Sequence, residues 1–176
     1  MEPAMTVDPS SSQQSQYLTF MVGDVEYGVG ILRAKEIIEY VPITRVPNAP
    51  EFVRGVINLR GRVVAVVDLA VRFGRVSAEV TRRSCIVIVE LKRDGVRDVI
   101  GVIADRVMQV AELPPDAIEP APAFGTGVRT DWLLGLGRAE NGFVLLVDTD
   151  RVLTEWDAVA QAESTAETTA ADMAVA

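Results

Sequence analysis

Histidine is absent from all 176 residues of this sequence. Without an imidazole, the chain lacks the commonest general base, the commonest metal ligand and every ordinary Ser-His or Cys-His dyad. Cysteine is almost absent as well, because Cys85 stands alone and no intramolecular disulfide can form. A single thiol agrees with a reducing compartment. Together these absences weaken most enzyme classes.

Long apolar runs and excess positive charge are also missing. No run approaches the roughly 18 apolar residues that a membrane span needs. The N-terminal stretch Met1–Gln16 has neither the basic start nor the apolar core of a secretory signal, so we expect a cytoplasmic protein. With 17 basic and 25 acidic side chains the formal net charge is −8. That balance argues against nucleic-acid binding and favours protein partners.

The chain between two polar ends has the pattern of a sheet protein. Composition predicts disordered tails at 1–15 and 159–176, which leaves a folded region at 16–158. Within it, short runs rich in β-branched and aromatic residues alternate with turn signals. Three turn pairs indicate tight hairpins: Gly23-Asp24, Asp94-Gly95 and Asn141-Gly142. We therefore predict a mainly β, mostly antiparallel fold.

Helix signals are few. Apolar spacing predicts a short amphipathic helix at Ile31–Ile38, a second after Asp68 and a C-terminal helix over Asp148–Ala160. Asp68 and Asp148 stand where a carboxylate can accept the free amides of a first helical turn, so both are predicted helix caps.

An internal repeat suggests how the strands are organised. Val63–Asp68 recurs as Phe143–Asp148, and Val29–Ile37 resembles Val102–Val110. The second half is thus a diverged copy of the first, each with about five strands. We predict two small barrels packed together, near 16–80 and 81–158, with the boundary approximate and an exchange of strands left open. Each is near the size limit of a stable core and should depend on the other.

Two groups could in principle carry chemistry. Cys85 begins an apolar strand pattern without an adjacent base, so a packed cysteine is favoured over a nucleophile. Asp148 and Asp150 could hold a cation, but they lack the further oxygen ligands of a calcium loop. We predict no catalytic residue, no metal and no cofactor.

A more specific pattern extends over the first half of the chain. Its parts are Phe20, Gly23-Asp24, Tyr27-Gly28-Val29, Glu36-Ile37, Thr44–Pro47, Phe52, Gly55–Gly61 and Val67–Leu69. This pattern closely resembles the CheW family of chemotaxis coupling proteins. The match continues more loosely through Gly101–Asp105, Pro120–Phe124 and Leu134–Gly137, and the Gly55–Gly61 run is its most specific part.

The resemblance implies two SH3-like five-stranded barrels with a few short helices. It also implies a non-catalytic adaptor between the cytoplasmic tips of chemoreceptors and the regulatory domain of the histidine kinase CheA, recruited to receptor arrays at the membrane. The receptor-facing residues that it implies are Glu36, Arg60, Gly61, Cys85 and Val110.

Other interpretations of these residues stay open. Arg60 could be a solvated turn residue or an arginine that ties down its own loop, and Glu36 an ordinary exposed residue. Phe124, with Ala123 beside it, is the candidate for kinase contact, although a core phenylalanine is about as consistent with normal burial. The chain departs from the family pattern at Gly30 and at Ala65-Val66, which leaves the core pattern intact. It also departs at Glu119 and Ala123, so kinase-contact pairing is expected to differ.

Three alternative functions remain at this point. One is a CheW-like scaffold of a non-flagellar chemosensory pathway. Another is a kinase regulatory domain, although no phosphoacceptor histidine or ATP-binding segment accompanies it. The third is a small-ligand barrel or a carboxylate enzyme, for which the sequence offers no acidic pair.

Overall fold

The computed structural model describes residues 15–77, 79–93, 95–121, 132–139 and 142–154. Eleven strands run β1 Gln16–Val22, β2 Val25–Gly30, β3 Ala34–Glu39, β4 Val53–Leu59, β5 Arg62–Val67, β6 Cys85–Arg93, β7 Val96–Ala104, β8 Arg106–Glu112, β9 Ile118–Glu119, β10 Leu133–Ala139 and β11 Gly142–Val147. The helices within the described ranges are α1 Leu69–Arg72 and α2 Thr149–Thr154, with a 3-10 turn at Pro115–Ala117. Within these ranges, no helix has the length and apolar character to cross a membrane.

The strands form two sheets. The first has six strands in the order β8-β1-β2-β11-β10-β9, and the second has five in the order β3-β6-β7-β5-β4. The sixth strand of the first sheet is the two-residue β9, beside β10. At the corresponding place in the second sheet there is only an isolated bridge between Thr44 and Val56.

Each sheet contains strands from both halves of the sequence. The β1–β2 hairpin joins β8, β10 and β11, whereas the β6–β7 hairpin joins β3, β4 and β5. The two sheets therefore repeat one strand order, which is the structural counterpart of the repeat in the sequence. The sequence halves and the sheets are different divisions of the chain.

Each sheet contains a parallel strand pair, β2 with β11 and β5 with β7, in which a glycine allows the strands to approach closely. Gly28 lies opposite Leu146, and Gly101 lies opposite Val66. A Cβ at Gly28 would come 2.8 Å from Leu146 Cδ2, and one at Gly101 would come 3.3 Å from Val66 Cγ2 in the parallel partner and 2.8 Å from Ile86 Cγ2 in the antiparallel neighbour β6. A larger residue at either position would overpack the sheet.

Buried side chains form three clusters. One lies on the five-stranded sheet, with Val64, Ile86 and Ile88 among its members, and another lies on the six-stranded sheet around Leu146. The largest, here called the central cluster, draws on both sheets and includes Phe20, Tyr27, Val87, Phe73 and Trp132. Most of the apolar burial, and with it most of the hydrophobic stabilisation, therefore joins the two sheets.

The prediction of a helix at Ile31–Ile38 is wrong. This segment is a turn followed by strand β3, whose exposure alternates from one residue to the next. β3 pairs with β6, with Ile37 opposite Val87 and Ile38 opposite Ile86. The apolar spacing fits both the helical period and the two-residue period of a strand, and long-range pairing of β-branched residues favours the strand.

The other two helix predictions are confirmed for the described residues. Asp68 Oδ1 accepts hydrogen bonds from the amides of Ala70 (3.0 Å) and Val71 (3.4 Å) at the start of α1. Asp148 Oδ1 accepts one from the Arg151 amide (3.2 Å) in α2. The predicted continuation of α2 to Ala160 lies outside the described residues.

Candidate functional site

The turn between β4 and β5 has an unusual backbone. Arg60 has φ 51° and Gly61 has φ 86°, so both central residues of this two-residue hairpin loop have positive φ, the geometry that suits the strand twist. Asn58 Oδ1 accepts the Gly61 amide at 2.8 Å and fixes the loop. Gly61 adopts this conformation without cost, whereas an arginine does so only under strain.

The side chain of Arg60 is paired with Glu36. Its Nη1 donates to both carboxylate oxygens, at 3.1 Å and 3.3 Å, and its Nη2 donates to Oε1. Glu36 lies in the edge strand β3, and Arg60 follows the opposite edge strand β4. The pair therefore links the two edges of the curled five-stranded sheet. The Arg60 side chain is 64% exposed, so much of its guanidinium remains available to a partner.

Cys85 and Val110 lie away from this pair. Cys85 pairs with Glu39 of β3, whereas Glu36 pairs with Ile88. Because Cys85 and Ile88 are three residues apart on the same strand, their side chains project from opposite faces of the sheet. There it packs against the central cluster. Val110, in the edge strand β8 of the six-stranded sheet, is 51% exposed and lies opposite Leu18 of the same cluster.

The predicted receptor-facing residues thus fall into two groups. Glu36, Arg60 and Gly61 come together as a charged corner, while Cys85 packs against the central cluster and Val110 is exposed on the edge strand of the other sheet. Ile37, next to Glu36 in the edge strand of the five-stranded sheet, is a further exposed apolar residue, with 48% of its surface accessible. The repeat aligns Ile37 with Val110. Phe124 and Ala123, the predicted kinase contacts, lie outside the described residues.

The electrostatics of Cys85 do not suit a nucleophile. Burial raises the pKa of its thiol, and the nearby Asp105 carboxylate raises it further. A nucleophilic cysteine needs the opposite shift, because the thiolate is the reactive form.

Buried and half-buried carboxylates in the described parts of the chain are held by cations or amides. A hydrogen bond from Lys35 lowers the pKa of Glu90, and Arg97 lies 3.4 Å from the same carboxylate. Asp150 accepts two hydrogen bonds from Arg33, at 3.0 Å and 2.7 Å. No cluster of three or more potential metal ligands occurs among the described residues. These carboxylates have structural partners.

Fold and site together define a class: a mainly β protein of two small barrels with an exposed guanidinium–carboxylate corner. The family model described as a CheW-like domain matches residues 16–156. The chain therefore belongs to the CheW family.

Individual relatives agree with this assignment. The chain is 35% identical over 139 residues to chemotaxis protein CheW of Klebsiella aerogenes, covering 79% of this chain and 81% of that protein. It is 34% identical to chemotaxis protein CheW of Rhizobium meliloti, covering 78% and 86%. The crystal structure of scaffolding protein TtCheW from Thermoanaerobacter tengcongensis matches with a TM-score of 0.70 and 30% identity, covering 79% and 92%.

The comparisons confirm the predicted fold class of two SH3-like barrels, mainly β with few short helices. They also indicate a chemotaxis adaptor of the scaffold type rather than an enzyme.

Proposed function

We propose that this protein couples the cytoplasmic tips of chemoreceptors to the histidine kinase CheA. It acts as an adaptor in the cytoplasm and reaches receptor arrays through its partners. Family membership supports the adaptor role. The observation that carries the proposal is the Arg60–Glu36 corner, because its backbone strain has no matching structural benefit.

The energetic comparison is direct. A left-handed conformation costs a residue other than glycine about 1–2 kcal/mol. An exposed ion pair returns only about 0–1 kcal/mol, and the Arg60 side chain is 64% exposed. Glycine at position 60 would avoid the strain, so stability alone does not explain the arginine. A binding role for the guanidinium does, because arginine is enriched among the hot spots of interfaces.

The receptor-facing surface in this proposal combines the two groups of residues described above. Glu36, Arg60 and Gly61 form the charged part, and the apolar part comes from Cys85, beside the central cluster, and from the exposed Val110 of β8. A receptor helix laid on such a surface would bury its apolar face and pair its charges at the rim. Kinase contact is assigned to Phe124 and Ala123.

The test is receptor binding by an Arg60→Glu variant, which places two carboxylates side by side at the corner. We expect loss of co-sedimentation with receptor-containing membranes, while CheA binding stays unchanged and the free energy of unfolding falls by at most about 1 kcal/mol, the value of an exposed ion pair. Arg62→Glu is the matched control, because it makes the same charge change two residues away. Undiminished receptor binding by the Arg60→Glu variant, or equal loss by both variants, would refute the assignment.

A further inference from the structure

One end of the five-stranded sheet collects positive charge. Strands β3, β5 and β7 run in one direction and begin at this end, while β4 and β6 run in the opposite direction and finish there. We call it the basic end. Its cations among the described residues are Arg33, Lys35, Arg60, Arg62, Lys92 and Arg97.

The carboxylates at the basic end are fewer than the cations. Among the described residues there are four, Glu36, Glu90, Asp98 and Asp150, against six cations. The turn between β6 and β7 adds one charge of each sign. The basic end therefore keeps an excess of two positive charges, although the chain as a whole has a net charge of −8.

Two of these cations have no ion pair. In the part of the chain that the structure describes, no carboxylate lies within ion-pair distance of Arg62 or Lys92. Lys92 also lies directly opposite Arg97 in the β6–β7 pairing, and like charges in that arrangement destabilise a sheet. Glu90 compensates only in part, because Arg97 remains 72% exposed. The basic end is therefore complementary to an anionic segment.

Helix α2 brings such a segment to the basic end. Asp150, in the first turn of α2, accepts a hydrogen bond from the Lys92 amide at 3.0 Å and pairs with Arg33. Thr154, where α2 ends, is four residues further, about 6 Å along a helix. Residues 155–176, here called the acidic segment, contain five carboxylates and no basic side chain. Ten residues can extend over about 33 Å, more than the width of five strands, about 20 Å.

We propose that the acidic segment binds the basic end of its own molecule and covers it. Opposite charge favours the contact, and attachment beside Lys92 gives the segment an effective concentration in about the millimolar range. The covered surface lies next to Glu36 and Arg60, because Lys35 adjoins Glu36 in β3. The segment therefore competes with receptor binding at the charged corner, a consequence that rests on the function proposed above.

The test places a nitroxide label at Thr169→Cys in the full-length protein, with Cys85→Ala to leave one attachment site. Paramagnetic broadening is read in nitrogen–proton correlation spectra. We expect broadening of the Lys35, Lys92 and Arg97 amides. It should be largely lost at about 1 M salt, where the Debye length is about 3 Å.

The broadening should also be lost when the five carboxylates of the segment become amides, in a variant that keeps the full chain. Its substitutions are Glu155→Gln, Asp157→Asn, Glu163→Gln, Glu167→Gln and Asp172→Asn. Combining the labelled segment with Lys92→Gln and Arg62→Gln should weaken the broadening, whereas Arg106→Gln, on β8 of the other sheet, should leave it unchanged.

Equal broadening with acidic and amidated segments would overturn the proposal. So would broadening seen only when label and isotope are on different molecules, because the contact would then join two copies. Receptor affinity of the amidated variant should rise by up to about fivefold, the equivalent of one exposed ion pair. An unchanged affinity would overturn the competition but not the contact. The broadening needs no receptor, so its result is independent of the role proposed for Arg60.

Discussion

The guanidinium of Arg60 donates hydrogen bonds to the carboxylate of Glu36. Glu36 lies in β3, one edge strand of the five-stranded sheet, and Arg60 directly follows β4, the opposite edge strand. The hydrogen bonds cross a sequence separation of 24 residues. The contact closes the curled sheet on the side where a strained turn presents the arginine. The ion pair could stabilise the fold, or it could present charges to a binding partner. Exchanging the two charged residues distinguishes these roles.

The first prediction concerns that exchange. Glu36→Arg combined with Arg60→Glu restores an ion pair of opposite direction. We expect the double variant to regain any stability lost by either single variant, at most about 1 kcal/mol for an exposed pair. It should not regain receptor binding, because each charge would face the wrong partner. Thermal unfolding and receptor co-sedimentation measure the two effects, and full recovery of binding would mean that the pair acts only within the fold.

The second prediction isolates backbone strain at the same turn. A Cβ at Gly61 or at Gly30 meets nothing within 4 Å, but only Gly61 has a positive φ, of 86°. Gly61→Ala should therefore destabilise the protein by about 1 kcal/mol. Gly30→Ala is the matched control and should change the stability little or increase it slightly. Urea unfolding gives both values, and equal effects would show that strain at position 61 is negligible.

Much of the fold follows from the sequence, because the strand alternation and the turn pairs are local signals. The hairpin turn pairs mark β1–β2, β6–β7 and β10–β11 correctly. Local patterns do not specify pairing partners, however, so the exchange of strands between the halves could only be left open. At Ile31–Ile38 the spacing fitted a helix, and pairing with β6 decided for a strand.

The candidate site was predictable in part. The family resemblance points to Glu36 and Arg60, but nothing in their sequence positions indicates that they touch.

The third prediction tests the close approach at Gly28. A Cβ there would lie 2.8 Å from Leu146 Cδ2 and 3.0 Å from Val144 Cγ1. Both contacts are with side chains, so Gly28→Ala should cost about 1–3 kcal/mol through overpacking. In the background of Leu146→Ala, which makes room, the additional cost should be smaller.

Gly55 provides the contrast to Gly28, since its added Cβ would meet the backbone oxygen of Thr44 at 2.1 Å. Gly55→Ala should cost more, and no side-chain truncation should relieve it. Denaturant unfolding of the four variants tests the argument. Additive effects of Gly28→Ala and Leu146→Ala would contradict it.

The fourth prediction follows from the exchange of strands. Fragment 1–80 contains β1 to β5. It lacks β8 and β11, which pair with the β1–β2 hairpin, and β6, which pairs with β3. We expect neither 1–80 nor 81–176 to melt cooperatively alone. An equimolar mixture should restore one cooperative transition, because each sheet then regains all its strands. Circular dichroism melts test this, and a cooperative transition in either fragment alone would contradict it.

The last prediction concerns Tyr27, which is fully buried in the central cluster between the rings of Phe20 and Phe73. Its hydroxyl has no hydrogen-bond partner among the described residues. A buried hydroxyl without a partner adds little to stability, so Tyr27→Phe should be neutral or slightly stabilising at pH 7. A marked loss at pH 7 would show that the hydroxyl has a partner in solution.

Alkaline pH should further distinguish the wild-type protein from the Tyr27→Phe variant. Burial raises the pKa of Tyr27 to about 12, whereas an unfolded tyrosine ionises near about 10. The unfolded state therefore releases its proton first, and the wild type should lose stability from pH 10 upward, by at most about 1.4 kcal/mol per pH unit. The loss should end near pH 12, where the folded protein also ionises. Tyr27→Phe lacks this group, so the stability difference between variant and wild type, measured by urea unfolding at pH 8, 10 and 11, should shift progressively in favour of the variant. A difference that stays constant across this range would mean that the ring is not held in its protonated form by burial.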